Sequence, residues 1–267
     1  MTVRLRRWLP LFLAGALFGT LVSVAIGTFG LGTKNVRETS RSKGTPVVGL
    51  RPTGVGLPMI GVEGTVGVGD YAEETRGYHD SGAYARDVAV VGRRAFRYVV
   101  KRSRRLRREA RGGAKPKLGV VFDIDETSLS NYECLQSFNF AQATAALATC
   151  VIQASGKAIV PTRRIWRYAT RHGIRTYFIT GRPDAIPGAR DQTEMNMRAE
   201  GYTKWTEMVL APSIDFDTIE YKTGERARIE RGGVDIIANV GDQESDLAGG
   251  HADRAYKYPN PFYYIGE

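Results

Sequence analysis

A chain of 267 residues that is 42% hydrophobic and 25% charged has the ordinary composition of a globular protein, which excludes a fibrous or low-complexity chain. It can hold one domain of about 150 to 200 residues plus extensions. Its formal charge of +10 is local: Arg93 to Lys117 carries twelve Lys or Arg against one acid, Glu109, so the remainder is close to neutral. The basicity therefore describes one segment, not the class of the protein.

Residues 1–32 are expected to lie outside the fold. Arg4, Arg6 and Arg7 precede an uncharged, largely apolar run from Trp8 to Leu31, the basic flank and hydrophobic body of an export signal. The run is long enough to span a bilayer as a transmembrane anchor, while Ser23-Val24-Ala25 offers small residues for cleavage. Both readings leave the rest of the chain extracytoplasmic, and the absence of cysteine here excludes a lipoprotein anchor. Residues 33–69 contain eight Gly, three Pro and no aromatic residue, which reads as a flexible linker. The alternation of Val and Gly from Gly61 to Gly69 leaves an edge strand open.

From Asp80 the pattern turns helical. Tyr84, Val88, Val91, Ala95, Tyr98 and Val99 recur at three- and four-residue steps, with Asp80 or Ser81 available as a cap. The helix is expected to end in the basic block KRSRRLRREAR, Lys101 to Arg111. That block reads either as a solvated helix end whose cations suit the dipole, or as a surface for an anionic membrane or other polyanion through Arg93 to Lys117. No specific nucleic acid is expected as a partner.

Leu118 to Phe122 is a short apolar run with two valines, a strand buried on both faces as in a parallel sheet. Asp123, Asp125, Glu126 and Thr127 follow at once, so carboxylates sit at the carboxyl end of a buried strand, where open α/β sheets bind their ligands. Asp123 and Asp125 are two apart and start on one side of an extended chain. Their mutual repulsion would be relieved by a hard divalent cation such as Mg2+, which takes one or two carboxylates and leaves room for phosphate oxygens. One Asp can then attack phosphorus while the other handles the proton. The string DIDET after an apolar strand resembles the first motif of the haloacid dehalogenase (HAD) superfamily, whose phosphatases form an aspartyl-phosphate. The resemblance implies that Asp123 is the nucleophile and Asp125 the acid and then the base.

In that superfamily an insertion at this place is a cap, and residues 131–160 would make a small one. It carries both cysteines, Cys134 and Cys150, which are either joined, closing a loop of about 15 residues, or left as two apolar thiols. A helix over residues 163–172 is stopped by Gly173, and a strand follows over residues 175–179. Arg171-His172-Gly173-Ile174-Arg175 resembles the core of the histidine acid phosphatases, but Tyr177 stands where that family has Pro, and the string precedes a strand instead of following one. His172 is therefore read as a helix-end residue, and His79 and His251 have no partners by spacing.

Thr180, Gly181 and Arg182 follow their strand directly. A hydroxyl and a backbone N–H at a strand end suit phosphoryl oxygens, and FITGRPD looks like the second HAD motif. Arg182 reads equally as a substrate clamp or as the partner of a neighbouring acid. Further on come a helix over residues 192–200, a strand over 205–210, a helix over 221–231 and a strand over 235–240. Lys222 matches the Lys that the family keeps at the start of the helix before its last motif, where it neutralises nucleophile and phosphate. GDQESD matches that last motif. The resemblance implies that Asp242 joins Asp123 and the Asp125 carbonyl on Mg2+, with Thr127 and Asp246 behind them orienting the ligands.

Strands alternating with helices predict an α/β fold, a doubly wound parallel sheet of HAD-like Rossmannoid type with a small cap insertion after the first strand, over residues 70–267. The closing YPNPFYY, with DIDET and NVGDQESD, resembles the class B, plant-type acid phosphatase branch, which includes vegetative storage proteins and bacterial lipoprotein nucleotidases. The resemblance covers residues 78–264. It implies an exported, magnesium-dependent phosphomonoesterase acting on small phosphomonoesters. The alternative is a non-catalytic storage or anionic-surface-binding protein on the same fold.

Overall fold

A computed structural model describes residues 47–49, 68–141 and 143–265. Six strands form one parallel sheet: β1 (Val47–Gly49), β2 (Leu118–Phe122), β5 (Arg175–Pro183), β6 (Glu207–Ala211), β7 (Asp235–Gly241) and β8 (Ala255–Lys257), in the spatial order β1-β8-β7-β2-β5-β6. The central strand is β2, hydrogen-bonded to β5 on one side and β7 on the other. Its sequence Leu-Gly-Val-Val-Phe is buried at every position, as a strand covered on both faces requires. Val120 and Phe122 point into the larger core, and Val121 points to the opposite face with Tyr177, Ile179 and Ile236.

The larger core is covered by α2 (Ala83–Glu109) and α5 (Val160–Arg171), with α6 (Ala189–Ala199) following β5. On the other face α7 (Thr218–Arg231) adds Ile229. The apolar stripe of α2 is buried at Tyr84, Val88, Val91, Ala95 and Val99, while Tyr98 packs against the core only partly buried. Gly92 explains how closely α2 crosses α5: a Cβ there would lie 2.3 Å from Pro161 Cβ and 2.9 Å from the Tyr258 hydroxyl oxygen. Any larger residue would push the two helices apart.

Several sequence expectations change. Gly82, in the left-handed conformation, is the residue that starts α2; Ser81 Oγ, one residue further out, accepts the Ala83 N–H at 3.4 Å, whereas Asp80 pairs with His79 and Tyr132 instead. Before it stands a helix absent from the sequence reading, α1 (Val68–Asp80). Its buried residues include Ala72, Thr75 and Tyr78, too polar a set to show as periodicity. Within the stretch read as linker, Val47–Gly49 pairs in parallel with β8 at the sheet edge. Of the Gly61 to Gly69 run, only Val68 and Gly69 are described, and they begin α1. The apolar run from Trp8 to Leu31 lies outside the described residues, and among these no helix is long and apolar enough to cross a membrane.

The basic end of α2 lies on the rim opposite the carboxylates. Arg107 donates to the carbonyl of His172, just before β5 begins, and Arg102 pairs with Asp253 at 2.6 Å. At 27 residues, α2 is about 40 Å long, so this block is remote from the carboxylates at the other end of the sheet.

Between β2 and α5 the chain makes a small separate layer. β3 (Leu129–Ser130) and β4 (Lys157–Ala158) pair antiparallel at its base, and α3 (Tyr132–Ser137) and α4 (Ala143–Gln153) form its body. A disulfide joins Cys134 in α3 to Cys150 in α4. Closing a loop of about 15 residues contributes up to about 3 kcal/mol in the chain-entropy model. Replacing both cysteines by Ser is therefore expected to lower the unfolding free energy by up to about 3 kcal/mol, read from urea denaturation followed by circular dichroism.

Candidate active site

The carboxyl ends of β2, β5 and β7 converge. The Asp123 N–H donates to the Val240 carbonyl at 2.9 Å, the last rung between β2 and β7. The chain then folds over Ile124, whose carbonyl accepts the N–H groups of Ser128 and Leu129, both at 2.8 Å. Glu126 takes a left-handed conformation, φ 50°. This turn leaves Asp123 and Asp125 in the same cleft.

Asp123 is almost fully buried, and its Oδ1 accepts Lys222 Nζ at 2.8 Å. The same ammonium donates to Asp246 Oδ1. Lys222 projects from the first turns of α7, whose start is capped by Asp217 accepting the Glu220 N–H at 2.8 Å. The other oxygen of Asp246 accepts the N–H groups of Asp242 at 2.9 Å and Gln243 at 2.8 Å, and so fixes the turn after β7. Gly241 is required beneath it, because a Cβ there would lie 2.2 Å from Asp246 Cβ.

Asp242 is held just as tightly. Its Oδ1 accepts Thr127 Oγ1 at 2.8 Å; its Oδ2 accepts Gln243 Nε2 at 2.7 Å and Asn260 Nδ2 at 2.8 Å. Thr127 is in turn anchored through its carbonyl by Thr162 Oγ1 at 2.6 Å. Carboxylate oxygens of Asp123, Asp242 and Asp246 come within 4.8 Å of one another.

Three carboxylates thus face one ammonium, leaving two negative charges in a buried site. Burial pushes Asp123 well above the usual carboxylate range, and the neighbouring Asp246 adds to the effect against the pull of Lys222. Burial and Asp246 likewise push Asp242 up to about 7. Lys222 is raised although burial opposes it, because Asp123 and Asp246 favour its charged form. An all-oxygen donor set with two charges in excess fits a hard divalent cation.

Asp125 behaves differently. Burial alone would raise it, but the Arg182 guanidinium outweighs burial and holds it below the usual range. Arg182 donates from Nε to Oδ2 at 3.0 Å and from Nη2 to Oδ1 at 2.8 Å, a bidentate pair. Of the two sequence readings of Arg182, the structure contains the pairing one. A third donor, Asn131 Nδ2, reaches Asp125 Oδ1 at 2.7 Å. Asn131 also donates its backbone N–H to Glu126 Oε1 at 2.6 Å, and burial pushes Glu126 up to about 8.

Asp123, Asp125, Gly181, Arg182, Lys222 and Asp242 line one cleft of about 420 Å³. The other expected residues do not reach its surface. Thr180 is fully buried, with its hydroxyl accepting the Arg182 N–H at 3.2 Å. Thr127 and Asp246 lie behind Asp242. Beyond Thr180, β5 runs on to Pro183 with a register shift against β6, a bulge that re-aims Gly181 and Arg182 at the strand end.

Sequence reasoning passed over four contributors. Asn131 binds both Asp125 and Glu126, Gln243 and Asn260 hold Asp242, and Lys257 Nζ donates to the Asp242 carbonyl at 2.8 Å. The polar Asn inside the aromatic string YPNPFYY was the available signal for Asn260. A fifth, Arg226, is buried in α7 and donates to the carbonyls of Asp246 at 2.7 Å, Gly250 at 3.0 Å and Ala248. Burial lowers its pKa to about 10.

The family model for the HAD superfamily, subfamily IIIB (acid phosphatase), matches residues 68–266. The stem 28 kDa glycoprotein of Glycine max is 31% identical over 201 residues, covering 72% of this chain and 74% of that protein. Vegetative storage protein 1 of Arabidopsis thaliana is 29% identical over 150 residues, 54% of each chain. Acid phosphatase 1 of Solanum lycopersicum is 28% identical over 151 residues, 54% of this chain and 58% of that protein. Among solved structures, the class C acid phosphatase from Bacillus anthracis has the same fold, with a TM-score of 0.53 at 17% identity over 74% of this chain and 87% of that one.

Replacing Arg226 by Met would leave buried carbonyls in the loop after Asp246 without their donor. The expected cost is about 3 kcal/mol, read as a lower urea midpoint at an unchanged slope.

Proposed function

The chain belongs to subfamily IIIB of the HAD superfamily, the acid phosphatases, and is a phosphatase; we propose that it is exported, depends on Mg2+ and works through a phosphorylated Asp123. The observation that carries this reading is the buried Asp123 carboxylate, fixed through Oδ1 by Lys222 in a cleft with two uncompensated negative charges.

Lys222 orients Asp123 so that its other oxygen, Oδ2, attacks the phosphorus of a small phosphomonoester in line with the ester oxygen. The new Asp123 oxygen–phosphorus bond forms as the ester oxygen–phosphorus bond breaks. Asp125, protonated in the reacting complex, gives its proton to the leaving oxygen. It then takes a proton from the water that attacks the aspartyl-phosphate, so Asp123 and inorganic phosphate are released and Asp125 regains its proton. Lys222 and the Gly181 N–H hold phosphoryl oxygens, while the buried Thr180 hydroxyl accepts the Arg182 N–H and fixes the strand end beneath them. Asp123 and Asp242, with the Asp125 carbonyl, would hold Mg2+, which would supply positive charge to offset the excess carboxylates and to polarise the phosphoryl group. Thr127 and Asp246 keep Asp242 and Lys222 aligned for that ion.

Arg182 has to share Asp125 with the substrate. While it is paired bidentately, Asp125 is held ionised; incoming phosphoryl oxygens offer the guanidinium a second anion and free Asp125 to hold a proton. Export is supported by the apolar run from Trp8 to Leu31, by the disulfide, which suits an oxidising compartment, and by the description of the soybean relatives as glycoproteins. A storage role is the second reading, favoured by the vegetative storage protein among the relatives. Against it stands the full set Asp123, Asp125, Lys222 and Asp242 in one cleft.

The direct test is hydrolysis of p-nitrophenyl phosphate with Mg2+ and with chelator. Activity is expected only with the ion, and Asp123→Asn is expected to lower kcat by about ten-thousandfold or more; activity surviving in that variant would sink the mechanism. Arg182→Gln gives a pH test. Without the guanidinium the Asp125 pKa rises, so its protonated form persists to higher pH. The alkaline limb of the kcat/KM profile, which reports the free enzyme where the pair is formed, should therefore move upward in pH, whereas an unmoved limb would remove Asp125 from the role of acid.

A further inference from the structure

Beyond its carboxylates the cleft is walled by apolar side chains. Leu147 and Val151 of α4 form one wall, and Ile214 and Phe216, in the loop between β6 and α7, form another. Charged side chains lining the cleft are Asp123, Asp125, Arg182, Lys222 and Asp242, all in the phosphoryl-transfer site. The amide of Gln243 is used at both ends, donating to Asp242 Oδ2 and accepting the Ile265 N–H at 3.2 Å. Apart from these, the polar side chains among the described lining residues are the hydroxyls of Thr144, Thr218, Tyr263 and Tyr264.

The apolar lining continues into water. Ile152, Ile214, Tyr264 and Ile265 border the same cleft and are exposed, Ile214 at 70% and Tyr264 at 68%. They come from α4, from the β6–α7 loop and from the carboxyl-terminal tail. Three segments remote in sequence thus bring exposed large apolar residues to one opening, and such a patch marks a binding surface.

We propose that the preferred substrates are phosphate monoesters of long-chain alcohols, with the phosphate at Asp123 and the alkyl chain lying between the α4 wall and the Ile214 loop and leaving across the apolar rim. The proposal rests on Asp123 and Lys222 being the phosphoryl end of the cleft. The walls recognise chain area, because each buried methylene leaves water. A sugar or a nucleobase would instead bury hydroxyl or ring-nitrogen groups among Leu147, Val151 and Phe216 with few partners, which disfavours it.

The test is kcat/KM for methyl, butyl and octyl phosphate, each below its micelle concentration, beside glucose 6-phosphate and adenosine 5′-monophosphate, with Mg2+ present. The simple alkyl esters share closely similar leaving groups, so differences between them report contact with the walls. The expected result is a rise of about fourfold per methylene while the chain still lies inside the cleft, with octyl phosphate ahead of both biological esters. In Ile214→Asp and Leu147→Asn, folded by circular dichroism, the ratio of octyl to methyl phosphate should fall at least tenfold. A flat alkyl series in an enzyme that turns over p-nitrophenyl phosphate, or a preference for the sugar or nucleotide, would overturn this proposal alone. Absence of turnover on every ester would overturn the underlying mechanism and the proposal with it.

Discussion

The site depends on a single buried ammonium. Lys222 holds Asp123 and Asp246 together, and without it three carboxylates would share a space from which water is largely excluded. Each partner then has a second duty. Asp246 also ties down the backbone N–H groups of Asp242 and Gln243, and Asp242 binds Thr127 of the β2 turn and Asn260 of the tail. One charge thus sets the spacing of α7, the turn after β7 and the turn after β2. Arg226, one turn further along α7, braces the same loop through its carbonyls. A cost in desolvating Lys222 is offset by geometry that positions the Asp123 carboxylate, the proposed nucleophile, before substrate arrives.

The chemistry-bearing part of this arrangement was legible in the sequence because strands buried on both faces end abruptly in acids. Leu118 to Phe122 before Asp123, and the apolar run before Asp242, mark two strand ends without any structure. Edges and supports were not legible. β1 and β8 are three residues each, too short for a period to show. The buried face of α1 includes Thr75 beside Ala72 and Tyr78, which reads as polar sequence. Asn131 and Asn260 look like turn residues, and their role depends on contacts across 6 and 18 residues respectively. Arg182 was ambiguous for a physical reason: a guanidinium suits a carboxylate and a phosphate equally well.

Cap and tail give the cleft its character. The cap sits on a two-stranded base, and its disulfide ties α3 to α4, whose Leu147 and Val151 line the same cleft as the carboxylates. The tail is fastened by Asn260 to Asp242 and by the Ile265 N–H to Gln243, so the residues that shape the mouth are connected to those that hold the ion site. The charged end and the apolar walls meet within one space, which allows the phosphoryl group and the rest of the substrate to be recognised by separate forces. The basic end of α2 lies at the opposite rim and takes no part in this division.

The most direct measurement is chemical capture of the phosphorylated enzyme. Asp125→Asn is expected to slow release of phosphate from an aspartyl-phosphate, and a p-nitrophenolate leaving group needs little help from the acid that the variant lacks. Acid quenching of that variant during turnover of labelled p-nitrophenyl phosphate with Mg2+ should therefore leave one hydroxylamine-sensitive phosphoryl group on the peptide containing Asp123. Label on any other residue, or complete product formation with no labelled enzyme at any time, would contradict Asp123 as the nucleophile.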